Sequence, residues 1–240
     1  MNDWKLQPAR DLGLSWHDRL GSLQRENGLF ESAAHLGWWS LVRTYLRLAH
    51  RVRVEGRENL PAELPFVLVA NHASHLDALV LGALLPWRLR DQVFPIAAGD
   101  TFFDNRLGRV FAAGMLNALP LWRRRCGPHA LMQLRQRLVE QRCGYILFPE
   151  GTRSRDGAMG SFKPGIGMLV AGTSVPVIPC YLSGTHAVWP PIQRLPRPGV
   201  VSVRIGSPHA FAEVPNEQTG WKEIARTLEQ AVRCCQPITA

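Results

Sequence analysis

Short apolar runs alternating with helix-patterned segments constrain this chain more than any other feature. Phe66-Val67-Leu68-Val69-Ala70 lies between Pro65 and Asn71 and carries no polar side chain, as a strand buried on both faces requires. Val93 to Ala98, Tyr145 to Phe148, Val175 to Leu182 and Val200 to Ile205 read as further strands. Leu76 to Leu85, Pro128 to Cys143 and Gly165 to Ala171 read as intervening helices. The second of these opens at Pro128, keeps Leu131, Leu134 and Leu138 at helical spacing and stops at Gly144. Trp221, Ile224, Leu228 and Val232 form the apolar stripe of a closing helix. Such alternation predicts an α/β chain with a mostly parallel central sheet flanked by helices. In an open parallel sheet the strands' carboxyl ends share one edge, where ligands bind. The loops at His72, at Glu150 to Arg153 and at Ser183 to His186 are therefore expected to converge.

With 240 residues, the chain can form one well-buried domain with a small appendage. The pattern divides it into an N-terminal helical segment, residues 1–55, and an α/β domain, residues 56–240, that includes the closing helix. Leu29 to His50 reads as one or two helices bearing Trp38, Trp39 and Tyr45 beside Arg43 and Arg47, with Arg51 just beyond. Such a segment either docks in a membrane interface, rings at headgroup depth and guanidiniums on anionic lipid, or packs on the core with its arginines in water. Asp3, Lys5, Arg10 and Asp11 have no apolar core between them, so the N-terminus is not expected to be a signal peptide. The run from Pro164 to Gln193 is long enough to span a bilayer, but glycines and prolines punctuate it and it reads as turn, helix and strand. Any membrane contact is therefore expected to be peripheral or interfacial.

The net charge of +9 points to an anionic partner: nucleic acid, a membrane surface or a phosphorylated substrate. The arginines are scattered, with no zinc-finger spacing, basic-region helix or RNA-binding aromatic signature, and no nucleic acid is expected. The five cysteines are odd in number and show no C-x-x-C, which argues against a disulfide framework or zinc site and for a reducing compartment. His72 and His75 resemble half of a metal site whose second pair is not apparent.

The chemistry concentrates in Asn71-His72-Ala73-Ser74-His75-Leu76-Asp77, where a buried strand gives way to a helix. Five residues along a helix rotate a side chain by roughly 140°, so His72 and Asp77 meet only if His72 lies in the loop and Asp77 in the first turn. Asp77 then accepts a proton from one ring nitrogen and leaves the other free to take a proton from an alcohol. The plainer alternative is a capping aspartate beside a polar loop histidine, with Ser74 accepting from first-turn amides. Phe148-Pro149-Glu150-Gly151-Thr152-Arg153-Ser154 ends another apolar strand. Gly151 admits close approach of a ligand, Thr152 can donate, and Arg153 can grip a phosphate with two parallel hydrogen bonds. Its plainer alternative is a polar turn with a surface Glu-Arg pair.

Together these blocks resemble the glycerolipid acyltransferase family typified by 1-acylglycerol-3-phosphate acyltransferases. The family's His-x4-Asp block is similar to Asn71 to Asp77, and its Phe-Pro-Glu-Gly-Thr-Arg-Ser block is intact from Phe148 to Ser154. Phe162-Lys163-Pro164-Gly165 resembles the Phe-Lys-x-Gly that follows, and Val175 to Cys180 a fourth block. Gly114 through Arg123 is a looser match to the second block, with Gly99 or Asp100 where members often carry lysine. The resemblance covers about Pro65 to Thr185.

The resemblance implies a glycerol-phosphate acyltransferase-like fold and direct transfer of an acyl group to a lysophospholipid hydroxyl, lysophosphatidate foremost. His72 is the expected base and Asp77 its support. Arg123 and Arg153 are expected to hold the acceptor phosphate, and Glu150, Gly151 and Thr152 to shape that site. No cofactor or metal is implied, because acyl-CoA or acyl carrier protein is a substrate. The expected location is the cytoplasmic face of an inner or plasma membrane. A lyso-aminolipid or another lysolipid is the alternative acceptor. A serine hydrolase lacks its Gly-x-Ser-x-Gly elbow here, and a non-catalytic lipid-binding protein has no need of both His72 and Asp77.

Overall fold

The computed structural model describes residues 11, 13–23, 25, 28–98, 110–121 and 128–237. Its strands are β1 (His50–Glu55), β2 (Phe66–Ala70), β3 (Val93–Ala98), β4 (Leu119–Leu121), β5 (Gly144–Leu147), β6 (Val177–Ser183) and β7 (Gly199–Ile205). They form a single sheet in the order β1-β7-β6-β2-β5-β3-β4, in which every pairing is parallel except β6 with β7. The helices are α1 (Trp16–Leu20), α2 (Leu29–Ala49), α3 (Asp77–Leu84), α4 (Pro128–Glu140), α5 (Gly165–Val170), α6 (Thr185–Val188) and α7 (Gln218–Cys234). A π-helical turn spans Val110–Met115.

Strand β2 is central, and every one of its side chains is excluded from water. Its alternating residues feed two cores. Val67 and Val69 pack with Leu134 and Leu138 of α4, Leu169 of α5, and Ile224, Leu228 and Val232 of α7. Phe66, Leu68 and Ala70 pack on the other side with Leu81 of α3 and Trp39, Val42 and Leu46 of α2. The result is three layers, helices on both faces of a mostly parallel sheet, as the alternation predicted.

Helix α2 is continuous, and its Trp38, Trp39 and Tyr45 serve the core. Trp39 is buried, Trp38 packs edge-on against Phe111, and the Tyr45 hydroxyl is 3.0 Å from His50 Nε2. Arg43 is half-buried: it donates to the Ala83 and Leu85 carbonyls at the end of α3, and its guanidinium lies 3.7 Å above the Trp87 ring. Burial lowers its pKa. The exposed face of α2 carries Leu36, Leu41 and Leu48 together with Arg47. The helical segment ends at Ala49, because residues 50–55 are strand β1, in register with β7 from His50 opposite Gly199 to Glu55 opposite Arg204. Among the described residues, no helix is long and apolar enough to cross a membrane.

An open groove of about 970 Å³, lined in part by Met132, Val139, Arg142, Met168 and Trp221, also meets Pro65 and Val175. These two residues precede β2 and β6, so the groove sits at the sheet edge opposite His72, with which it shares no residue.

Candidate active site

Three loops meet beyond the carboxyl ends of β2, β5 and β6, the edge predicted to hold the site. Asn71 directs the first of them. Its buried side chain donates to the Leu182 carbonyl at 2.9 Å and accepts from the Leu182 amide at 2.8 Å, continuing the β2–β6 pairing with a side chain. Asp77, fully buried in the first turn of α3, gathers the loop around one oxygen: Oδ2 accepts from the Ala73 amide at 2.8 Å and the Ser74 amide at 2.7 Å. The same oxygen lies 2.8 Å from His72 Nδ1. An oxygen already accepting from two amides needs a donor at Nδ1, so the proton sits there and Nε2 is the acceptor nitrogen. Ser74 Oγ accepts from the Leu76 amide at 3.0 Å and donates to the Trp189 carbonyl at 2.7 Å. Ser74 thus reaches the N-cap residue Leu76 and not the first-turn amides, so α3 carries no side-chain cap, and Asp77 orients the histidine without capping the helix.

The His72 ring stacks on Phe148, with centroids 4.1 Å and planes 17° apart, and its side chain keeps 22% of its exposure. It is held by packing on one side and open to a substrate on the other. Glu150 is buried, not part of a surface pair: Oε1 accepts from the His72 amide at 2.7 Å and Oε2 from the Gly160 amide at 2.8 Å. Burial holds its pKa above the ordinary glutamate value, and those two amides offset only part of that rise. The Ser154 amide donates to the His72 carbonyl at 2.7 Å, a second tie between the same two loops.

The predicted acceptor contacts divide. Gly151 has φ +73°, and a Cβ there would stand 2.8 Å from Lys163 Nζ, so the glycine permits both the turn and the approach of that ammonium. Thr152 is exposed. Arg153 Nη1 lies against the His75 ring, 2.5 Å from Nδ1 and 2.9 Å from Nε2. Burial and then the Arg153 charge lower the His75 pKa, which keeps the ring neutral beside the guanidinium. Arg123 lies outside the described residues, as do Gly99 and Asp100. Neither Lys163 nor His75 is among the acceptor contacts expected from the sequence, although the Phe-Lys-Pro-Gly block is a signal for the first. The third loop joins through His186, whose Nε2 is 3.2 Å from the Arg155 carbonyl.

The arrangement is a loop histidine held by a helix-first-turn carboxylate, two amide ties to a second loop, and cationic side chains beside a glycine turn. The sequence profile described as Acyltransferase matches residues 51–183, more than half of the chain. The chain belongs to the acyltransferase family. Within that family it is 34% identical over 148 residues to the chloroplastic 1-acyl-sn-glycerol-3-phosphate acyltransferase of Arabidopsis thaliana, covering 59% of this chain and 38% of the relative. The 1-acyl-sn-glycerol-3-phosphate acyltransferase alpha of Mus musculus is 32% identical over 161 residues, 66% of this chain and 54% of the relative. This acyltransferase chain thus spans about half the length, or less, of these curated relatives. The crystal structure of the 1-acyl-sn-glycerophosphate (LPA) acyltransferase PlsC from Thermotoga maritima is similar at a TM-score of 0.66 and 27% identity, covering 85% of this chain and 78% of that one.

Proposed function

We propose that this acyltransferase moves a fatty acyl group from acyl-CoA or acyl carrier protein to the free hydroxyl of a lysophospholipid, lysophosphatidate giving phosphatidate. The observation that carries the reading is the 2.8 Å contact of His72 Nδ1 with Asp77, which leaves Nε2 as an acceptor on a part-exposed ring. His72 Nε2 takes the hydroxyl proton as the oxygen attacks the thioester carbonyl. The tetrahedral adduct then collapses, the C–S bond breaks, and the thiolate leaves with the proton from the imidazolium. Asp77 orients the ring and supports its positive charge. Glu150 keeps the His72 loop against the Gly151 turn, and Arg153, Lys163 and Arg123 supply cations for the acceptor phosphate.

Arg153 rests on His75, and this favours a second acceptor class, a lyso-aminolipid or another lysolipid without a terminal phosphate. The net charge of +9 and the exposed leucines of α2 support peripheral docking on anionic lipid, at the cytoplasmic face of an inner or plasma membrane.

The test is transfer from radiolabelled acyl-CoA or acyl carrier protein to a panel of detergent-dispersed lysolipids, beside His72→Ala and Arg153→Ala. Transfer to lysophosphatidate should fall by more than about 10²-fold in His72→Ala, while Arg153→Ala should chiefly raise the acceptor KM. Transfer only to phosphate-free acceptors would move the assignment to the second class. No His72-dependent transfer under any pairing would sink the enzyme reading.

A further inference from the structure

The loop from Trp189 to Pro198 joins α6 to β7 and stands at the edge of the sheet that holds His72. It is internally braced: Trp189 Nε1 donates to the Gln193 carbonyl at 2.9 Å, the Gln193 amide to the Pro190 carbonyl at 3.1 Å, and the Arg197 amide to the Val188 carbonyl at 2.9 Å. It is also tied to the site. The Trp189 carbonyl accepts from Ser74 Oγ at 2.7 Å, the Pro191 carbonyl is 3.3 Å from His75 Nε2, and the Trp189 ring packs against the His75 ring.

This braced loop holds Ile192 at 95% and Leu195 at 75% exposure, flanked by exposed Arg194 and Arg197. Two large aliphatic side chains fixed in water are unfavourable unless something covers them. The charge around them selects the cover, because residues 157–212 contain no aspartate or glutamate. The register adds continuity. His50 pairs with Gly199, so Leu48 at the end of α2, 81% exposed, leaves the sheet at the same edge as this loop.

We propose that the 189–198 loop is a second lipid-surface contact that sets the mouth of the His72 site against an anionic bilayer, Ile192 and Leu195 entering the interface and Arg194 and Arg197 meeting lipid phosphates. The proposal rests on the reading that the acceptor is a membrane lipid, because a site fed from the bilayer needs its entrance there.

The test is co-sedimentation of the 240-residue chain with phosphatidylcholine vesicles with and without phosphatidylglycerol. Transfer to detergent-dispersed acceptor is measured in parallel as a check on folding. Ile192→Asp with Leu195→Asp should weaken binding to the anionic vesicles by about tenfold or more and leave micellar turnover unchanged. Ile192→Ser with Leu195→Ser, which adds no charge, should move binding in the same direction. Arg194→Glu with Arg197→Glu should weaken binding only where phosphatidylglycerol is present. Wild-type vesicle binding in the loop variants, or no binding by the wild-type chain, would overturn the proposal. Intact vesicle binding with selective loss of transfer from acyl carrier protein would overturn it in favour of a protein-docking surface. Failure of the acyltransferase reading is seen separately, as absence of His72-dependent transfer in micelles.

Discussion

His72 and Asp77 are five positions apart in sequence yet 2.8 Å apart in space, because the chain between them is loop and the aspartate opens α3. Asp77 concentrates three donors on Oδ2, while Oδ1 is buried with no partner among the described residues. In Asp77→Asn the amide nitrogen can take the Oδ1 position and the oxygen keep all three donors, so geometry survives and the negative charge is lost. We expect kcat to fall about 10²–10⁴-fold with Tm little changed, a split readable from steady-state kinetics beside calorimetry. His75 supplies a pH prediction. Its folded pKa lies below the ordinary 6.5, through burial first and Arg153 second, so below that pH the unfolded chain binds a proton that the native state refuses. Stability from this group is therefore lost as pH falls below 6.5 and is constant above it. His75→Phe retains the ring packing and removes the titration, and a Tm-versus-pH series should show a flatter acid limb. Arg153 was legible as a cation in a turn; its lean on His75 was not, since that contact joins two loops 78 positions apart.

At the scale of elements, long apolar periodicity was legible and short polar pieces were not. β2, α4 and α7 lie where their patterns predict, with boundaries moved by a few residues at most. β1 escaped because His50-Arg51-Val52-Arg53-Val54-Glu55 alternates charge with valine, the mark of a sheet-edge strand, and only pairing with β7 defines it. β4 has three residues, one of them Pro120, and no periodic signal. Close approach of helices is likewise invisible in one dimension. A Cβ on Gly167 of α5 would meet the Trp221 backbone of α7, with Cα at 2.4 Å and the carbonyl oxygen at 2.6 Å, whereas one on Gly165 would meet only Leu131 Cδ1 at 3.7 Å. Gly167→Ala should thus separate α5 from α7 at a cost of about 1–3 kcal/mol in denaturant unfolding, and Gly165→Ala should be neutral or mildly stabilising.

For the molecule as a whole, the surplus of cations meets exposed aliphatic side chains on α2 and on the 189–198 loop. Binding to phosphatidylglycerol vesicles should weaken steeply as NaCl rises from low to physiological strength, because a Debye length of about 8 Å screens exposed arginines. A residual, salt-insensitive part should remain from apolar contact, and vesicle titrations at several salt concentrations separate the two. Periodicity and loop position are local properties of the chain, so the α/β layering and the sheet edge that carries the site were legible in it, with the meeting of His72 and Asp77 as one of two readings. Tertiary contacts make Glu150 tie two loops, turn Trp38, Trp39 and Tyr45 toward the core, set Lys163 beside Gly151, and tie the loop that carries Ile192 and Leu195 to His75. Each of these depends on which distant segments the sheet order brings together, and no local pattern encodes that order.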